Sequence, residues 1–287
     1  MIVAIASGKG GTGKTSLAVN LARTLERTYA LPVQLLDCDV EEPNAHLFLA
    51  GTPIGEETIN IAVPDFDPDR CDACDKCVEF CQFNALASVG KTPLLFPELC
   101  HGCGGCRLVC PQDAIREKDY RIGVIKTARA GKITLKSGCL DVGVSLASTL
   151  VHALKERLED GITTILDAPP GTACQAVATL RGSDFVVLVT EPTPFGLHDL
   201  TLAVDTVRAL KLPFGVVINR VGVGDERVHR YCQTEGIPIL LEIPDDRRIA
   251  VAYSRGELMV EALPEYQAHF VSLWQAIERD AALEVAA

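Results

Sequence analysis

Apolar runs alternate with segments of helical spacing along much of the chain. Residues 1–6 form a short β-prone run, and residues 16–25 carry Leu17, Leu21 and Leu25 four positions apart. Further apolar runs follow at residues 33–36, 162–166, 185–190 and 214–218, with helix-length segments at 145–158 and 200–210. Strands that are apolar throughout are covered by helices on both faces. The pattern predicts an α/β fold with a doubly wound, mainly parallel sheet.

Residues 63–120 interrupt this alternation with aspartates, prolines and glycines. Because the strand and helix pattern resumes afterwards, we interpret this window as an insertion, which predicts one discontinuous domain, 1–62 and 121–287, around a smaller α+β domain. Hydrophobic residues make up 48% and charged residues 23% of the chain, values typical of a folded protein. The formal net charge of -11 argues against nucleic acid or a membrane surface as a partner.

The chain has twelve cysteines, most of them inside the 63–120 window. Its first residues lack an export signal and no apolar run is long enough to span a membrane, so we expect a cytoplasmic protein. In that reducing compartment, clustered cysteines bind metal or do redox chemistry more often than they form disulfides. The four cysteines outside the window are expected to be small buried apolar residues: Cys38, Cys139, Cys174 and Cys232.

Residues 8–15 match the phosphate-loop pattern GxxxxGK(S/T), directly after a predicted strand and before a predicted helix. The glycines let the backbone approach phosphates closely, and the helix N-terminus supplies a positive field. Lys14 is expected to contact the β- and γ-phosphates and Thr15 to ligate Mg²⁺. The predicted site for ATP or ADP comprises Gly8, Gly10, Gly11, Thr12, Gly13, Lys14, Thr15 and Ser16.

Two aspartates at predicted strand ends suit the same chemistry. Asp39 and Asp167 each follow an apolar run, and hydrolysis of a nucleotide needs a held metal and an oriented water. For Asp39 and its neighbour Asp37, a helix cap or a turn is the alternative interpretation.

With its extra lysine, the sequence KGGTGKT resembles the deviant Walker A motif of the MinD, ParA and nitrogenase iron-protein group of P-loop ATPases. The resemblance implies that Lys9 reaches the phosphates across a dimer interface, so an ATP-dependent homodimer is expected. It also implies that Asp39 positions water in switch I, that Asp167 supports Mg²⁺ in switch II, and that Gly171 donates its amide to the γ-phosphate. The predicted catalytic residues are Lys9, Lys14, Asp39 and Asp167.

The same resemblance extends to the segments VVINR and IPDDRRI. It implies that Asn219 reads the edge of the adenine. A plain strand-end asparagine is the alternative. The segment beside the base would comprise Pro244, Asp245 and Asp246.

Inside the insertion, one unit is written twice, with the spacing CxxCxxCxxxC in both copies. The second copy continues with Pro111 and has the spacing of bacterial ferredoxins, in which the fourth cysteine ligates the other cluster. Gln82 replaces that proline in the first copy. The exchange predicts two [4Fe–4S] clusters, one on Cys71, Cys74, Cys77 and Cys110 and the other on Cys100, Cys103, Cys106 and Cys81. Zinc is the alternative, since CxxC pairs also make tetrahedral sites, but zinc knuckles do not need this exchanged pattern.

The whole chain resembles MinD-superfamily ATPases with an inserted ferredoxin domain, which implies coupling between nucleotide state and electron transfer to a redox partner. A carrier or scaffold that passes clusters to an acceptor protein is a second interpretation, although related Mrp ATPases use a C-terminal CxxC that this chain lacks. A third is MinD-like positioning through a membrane-binding C-terminal helix. Phe270, Leu273, Trp274 and Ile277 form an apolar face there, but acidic neighbours favour core packing and no stable membrane association.

Overall fold

The computed structural model describes residues 1–285, with side chains to residue 282. Its strands are β1 (Ile2–Ala6), β2 (Val33–Asp37), β3 (Thr52–Phe66), β4 (Leu86–Ala87), β5 (Leu94–Leu95), β6 (Ile115–Ala130), β7 (Ile133–Leu140), β8 (Thr163–Asp167), β9 (Phe185–Thr190), β10 (Phe214–Val221) and β11 (Ile239–Pro244). Its helices are α1 (Lys14–Tyr29), α2 (Lys76–Phe80), α3 (Gly105–Leu108), α4 (Ala147–Lys155), α5 (Cys174–Leu180), α6 (Pro194–Ala209), α7 (Arg227–Thr234), α8 (Arg247–Ser254), α9 (Met259–Ala262) and α10 (Gln267–Val285).

The described chain divides into two compact units. Unit 1 comprises Met1–Glu56, Ile125–Cys139 and the chain from Val151 onward, and unit 2 comprises Glu57–Val124 and Leu140–Leu150. These bounds differ from the predicted insertion, 63–120, because β3 and β6 continue through both of its ends. In β3, buried Ile59, Ile61 and Val63 alternate with exposed residues. Continuous apolar runs therefore did not predict β3, because only alternate positions of this strand are buried.

The sheet of unit 1 has the order β11, β10, β9, β1, β8, β2, β7, followed by the unit 1 portions of β6 and β3. The six pairings from β11 to β7 are all parallel, which confirms the predicted mainly parallel α/β sheet. Parallel strands bring their carboxyl ends to one edge. The register of β2 and β8 places Asp37 opposite Asp167 at that edge.

The core of unit 1 uses the helical faces that the sequence predicts. Leu17, Leu21 and Leu25 of α1 are buried. The apolar face of α10 is at most 2% exposed at Phe270, Leu273, Trp274 and Ile277, so its expected role in core packing is confirmed. No helix within the described residues is long and apolar enough to cross a membrane.

In unit 2, the two copies of the cysteine repeat adopt the same backbone conformation. Equivalent positions have positive φ in both copies: 58° at Ala73 and 64° at Gly102, and 55° at Asp75 and 68° at Gly104. Asp75 and Gly104 precede the short helices α2 and α3. The sequence repeat is therefore also a structural repeat.

Candidate functional site

The loop between β1 and α1 is shaped by glycines with left-handed backbone. Gly11 has φ of 76° and Gly13 φ of 98°, a region in which other residues are strained. At Gly8 the constraint is space, since a Cβ there would lie 2.0 Å from the carbonyl oxygen of Asp199. The loop therefore packs directly against α6 and presents its backbone to the cleft.

Lys14, the first residue of α1, and Asp167, the last residue of β8, are both buried. Burial lowers the pKa of Lys14, against the opposing effects of Asp167 and Asp39. Burial also raises the pKa of Asp167 to about 7, although the Thr15 hydroxyl and Lys14 act against the rise. The Thr15 hydroxyl is close enough to Asp167 to affect its pKa, but neither carboxylate oxygen has a partner in good hydrogen-bond geometry among the described residues. Buried polar atoms without partners are rare, and an aspartate in this state fits a bound cation or its water ligands.

Asp37 and Asp39 have different environments although they lie two residues apart. The Asp37 carboxylate accepts hydrogen bonds from the backbone N–H groups of Asn44 and Ala45, both at 2.9 Å. It therefore anchors the loop that carries Asp39, which matches the turn alternative for Asp37. Asp39 is half-buried and its pKa is raised by burial, with Lys14 opposing.

The phosphate loop opens on a cleft of about 550 Å³ in unit 1. Predicted residues that line it are Gly10, Gly11, Gly13, Lys14, Thr15, Ser16, Asp39, Asn219, Pro244, Asp245 and Asp246. Five other predicted residues are absent from the lining: Gly8, Lys9, Thr12, Asp167 and Gly171. Thr12 and Asp167 are buried, and the Gly171 N–H, expected to face a γ-phosphate, donates to the Ser7 carbonyl at 3.0 Å.

Several lining residues were missed by the sequence interpretation: Glu42, Asn44, Pro170, Arg220, Ile249, Ala250 and Tyr253. Ile249, Ala250 and Tyr253 share one side of α8 and could only have been found from its helical spacing. They give the cleft apolar and aromatic surface of the kind that a base packs against.

Asn219 closes the loop against β10. Its Nδ2 donates to the Thr12 carbonyl at 2.8 Å, and its Oδ1 accepts the N–H of Arg220 at 3.0 Å. A Cβ on Gly13 would lie 2.6 Å from the same Nδ2. One N–H and one lone pair of the amide remain for a ligand.

Asp246, predicted to lie beside the base, is engaged as the cap of α8. Its Oδ1 accepts the Arg248 N–H at 2.8 Å, and the Tyr266 hydroxyl donates to its Oδ2 at 3.1 Å. The Arg248 guanidinium lowers the pKa of Asp246 to about 2.

Lys9 is held by a carboxylate of its own chain. Its Nζ lies 3.1 Å from Oε2 of Glu191, a residue that is only 9% exposed. The other oxygen of Glu191 lies 3.3 Å from Arg220, which also pairs with Asp245 at 3.1 Å. This series of ion pairs connects Lys9 to the wall of the cleft.

In unit 2, the eight predicted ligand cysteines are divided between two cavities. One is lined by Cys71, Cys74, Cys77 and Cys110, and the other by Cys81, Cys100, Cys103 and Cys106. Burial raises the pKa of Cys77, with Cys110 and Cys71 adding to the rise. Among the described residues, no group of three or more His, Cys, Asp or Glu side chains is close enough to hold a single metal ion.

The four remaining cysteines only partly follow the expectation of burial. Cys38 and Cys232 are buried, but Cys139 is half-buried and Cys174 is exposed. The expectation was wrong for Cys174 because α5 begins there, directly after the surface loop containing Pro170 and Gly171.

Residues 3–259 match the model of the CbiA family, the CobQ/CobB/MinD/ParA nucleotide-binding domain. An uncharacterized protein of Methanocaldococcus jannaschii is 32% identical over 269 residues, which cover 90% of each chain. An iron-sulfur cluster carrier protein of Pyrococcus horikoshii is 23% identical over 269 residues, covering 88% of this chain and 77% of the carrier.

Solved structures with the same fold include the septum site-determining protein MinD of Pyrococcus horikoshii in complex with Mg-ADP. It has a TM-score of 0.61 at 19% identity, covering 95% of this chain and 93% of that one. The cell division ATPase MinD of Pyrococcus furiosus also has a TM-score of 0.61, at 22% identity, covering 97% and 98%.

Proposed function

Because the chain belongs to the CobQ/CobB/MinD/ParA nucleotide-binding family, we propose that it is a Mg²⁺-dependent ATPase whose second unit holds two [4Fe–4S] clusters. The nucleotide state is coupled to electron transfer through those clusters. The observation that carries the proposal is the presence in one chain of a phosphate-loop cleft and two cavities with four cysteines each.

The cleft supports ATP binding and hydrolysis by its own residues. Gly11 and Gly13 present backbone N–H groups to phosphates, Lys14 supplies the buried cation, and Thr15 with Asp167 holds Mg²⁺. Asp39 orients the attacking water. Lys9 completes the site in a homodimer by reaching the nucleotide of the second copy, after it has left Glu191.

The distribution of cysteines supports clusters in unit 2. Each cavity contains three cysteines of one repeat and the fourth cysteine of the other, which is the exchange that the ferredoxin spacing predicts. Thiolates on different irons of a cubane are farther apart than thiolates on one zinc ion. Bound clusters would supply one-electron chemistry.

The experiment is an anaerobic redox titration followed by EPR, with and without ATP. We expect cluster signals whose potential shifts when ATP binds, and a Lys14→Ala variant whose clusters are intact but insensitive to ATP. Lys132→Ala is the matched control, because Lys132 is exposed in unit 1 outside the cleft. Zinc in place of iron, or potentials that ignore ATP in the wild type, would contradict the proposal.

A cluster carrier is the second candidate. It is favoured by the Pyrococcus relatives named iron-sulfur cluster carrier proteins, at 22% to 24% identity. The two candidates differ in the fate of the iron. A carrier loses its clusters to an apo-acceptor protein when ATP is added, whereas an electron-transfer protein is reduced and reoxidised with its iron retained.

A further inference from the structure

The two cysteine cavities of unit 2 differ at pseudo-symmetric positions. In the first, the residue after Cys71 is Asp72, which accepts a hydrogen bond from Nε2 of Gln112 at 3.0 Å. Both side chains line that cavity. The first cavity therefore has a carboxylate and an amide at its rim, and both groups are well solvated by water.

The equivalent positions of the second cavity carry an aromatic pair. His101 follows Cys100 as Asp72 follows Cys71, and Phe83 stands two residues after Cys81 as Gln112 does after Cys110. The His101 and Phe83 rings stack with their centroids 3.9 Å apart. Phe83 is 42% exposed and the neighbouring Phe80 is 46% exposed. The first cavity thus has a polar pair at its rim, while the second has exposed aromatic rings beside its cysteines.

Arginines adjoin this aromatic rim. Glu117 lines the second cavity and also a neighbouring cavity that contains Arg70, Arg107 and Arg116. That neighbouring cavity shares Ile115 with the first cavity, so it is the aromatic pair that distinguishes the second cavity from the first. Arg107 pairs with Glu117 at 3.1 Å and Arg70 with Asp113 at 3.5 Å, and all three arginines are exposed. Asp113 and Glu117 line the same cavity as the three arginines, so its lining has a formal excess of one positive charge, on a chain whose net charge is -11.

We propose that this aromatic–arginine face, consisting of Phe80, Phe83, His101, Arg70, Arg107 and Arg116, is the docking surface for a small acidic electron-carrier protein. The inference rests on the proposed electron-transfer function and assigns the cysteine group of the second cavity, rather than the first, as the one that exchanges electrons with the partner.

The charge distribution selects the kind of partner. Guanidinium groups bind carboxylates in a bidentate geometry, and a charged patch next to an apolar centre steers a complementary protein into register. The exposed rings supply the apolar centre, since aromatic residues and arginine are enriched at protein interfaces. A [4Fe–4S] cluster held by Cys81, Cys100, Cys103 and Cys106 would supply the one-electron acceptor for a reduced carrier docked on this face. No proton or covalent bond is transferred.

The test uses the holoprotein and a reduced plant-type [2Fe–2S] ferredoxin of net negative charge as the probe. Stopped-flow mixing measures the electron-transfer rate constant at increasing salt concentration. We expect the rate to fall as salt rises, because attraction between the arginines and the carrier is screened. A rate that rises with salt would mean that overall repulsion between the two proteins dominates. A rate independent of salt would mean that the arginines do not attract the carrier. Either result would overturn the proposal.

Two sets of variants locate the surface. The triple variant Arg70→Gln, Arg107→Gln, Arg116→Gln should lower the second-order rate constant by about tenfold or more, the scale of electrostatic steering. Phe83→Gln copies Gln112 of the other repeat and should lower the rate with its salt dependence unchanged. The matched controls are Lys118→Gln, which removes an exposed charge paired with Asp65 in the same unit, and Gln112→Asn in the first cavity.

The iron–sulfur content of each variant distinguishes a failure of the proposed function from a failure of the proposed docking face. Iron analysis and EPR are carried out on each variant before mixing, and single arginine variants replace the triple variant if it loses iron. Wild-type protein without clusters would refute the proposed function. Wild-type protein with clusters, and with rates that the face variants leave unaltered or that the Gln112 control lowers most, would refute only the assignment of this face.

Discussion

Lys9 and Glu191 form an ion pair within one chain, with 3.1 Å between Nζ and Oε2. The side chain of Glu191 is 11% exposed and that of Lys9 is 32% exposed. Arg220 contacts the other carboxylate oxygen of Glu191. Lys9 therefore has to leave Glu191 before it can reach a nucleotide in a second copy. When it leaves, Arg220 still neutralises the buried carboxylate.

Removing this ion pair should favour the ATP-bound dimer. In Glu191→Gln, Lys9 no longer has a charged partner to leave, and a partly buried pair is worth about 1 kcal/mol. We expect dimerisation at an ATP concentration lower by about fivefold, measured by light scattering over an ATP titration. Glu235→Gln, which removes the partner of Arg208 outside the cleft, should leave the titration unchanged. A dimer that requires more ATP in Glu191→Gln would contradict this role.

Asp167 should make the nucleotide-free protein less stable as pH rises. Its pKa is raised from 3.8 to about 7 by burial, so between those values the folded protein keeps a proton that the unfolded chain has lost. The free energy of unfolding therefore falls as pH rises through this window. Asp167→Asn removes the contribution of Asp167 but not that of Asp37, whose pKa burial also raises. The melting temperature of the variant should exceed that of wild type more at pH 8 than at pH 4.5.

The control for this prediction is Asp205→Asn, an exposed position on α6 that should show no such pH-dependent difference. Asp167→Asn should also abolish ATP hydrolysis, since Mg²⁺ needs the carboxylate charge. A variant whose melting temperature follows that of wild type at every pH would show that Asp167 is ionised in the folded protein.

Asp37 should stabilise the loop that carries Asp39. Asp37→Ala leaves the N–H groups of Asn44 and Ala45 without their acceptor, which costs about 2 to 4 kcal/mol for a buried site. Asp37→Asn keeps an oxygen acceptor and should cost less. Chemical denaturation measures both variants, and kcat for ATP hydrolysis should fall in the same order. Equal losses for the two substitutions would mean that charge, and not the acceptor, is what the loop requires.

The phosphate loop should distinguish sharply between two of its glycines. Gly8→Ala places a methyl group 2.0 Å from the Asp199 carbonyl oxygen, so the phosphate loop and α6 must separate and the melting temperature should drop by several degrees. In Gly10→Ala, the nearest atom is Cβ of Pro170 at 3.9 Å, and the fold should be unaffected. Thermal unfolding without nucleotide makes the comparison, and equal melting temperatures would contradict the packing described for Gly8.

The exchanged cysteine grouping can be tested with double variants. Cys71→Ser with Cys110→Ser changes two residues of the same cavity and should remove one cluster while the other remains. Cys71→Ser with Cys81→Ser changes one residue in each cavity and should impair both clusters. Iron content and EPR measure the outcome. The reverse result would assign each cluster to a single repeat.

The sequence predicted the parts of the fold that depend on local pattern. Mostly apolar runs identified the central strands β1, β2, β8, β9 and β10, because a strand buried on both faces has few polar positions. The strands β3, β6, β7 and β11 were not among these runs. β6 is rich in charged residues and β3 alternates between buried and exposed positions, so neither has a continuous apolar pattern. The part of the chain at 140–150 that joins unit 2 has no local signal, because its membership depends only on tertiary contacts.

The sequence by itself determined the chemistry available to this protein: a glycine-rich phosphate loop and cysteines in ferredoxin spacing, both of which are set by covalent spacing over a few residues. Only the tertiary structure decided which distant groups meet. It pairs Lys9 with Glu191, lets the Gly171 amide donate to the Ser7 carbonyl, and buries Asp167. It also forms an aromatic stack of Phe83 and His101 at one cysteine cavity and a polar pair of Asp72 and Gln112 at the other. Such pairings join residues far apart in the chain, so their distances, burial and pKa values depend on how the elements pack.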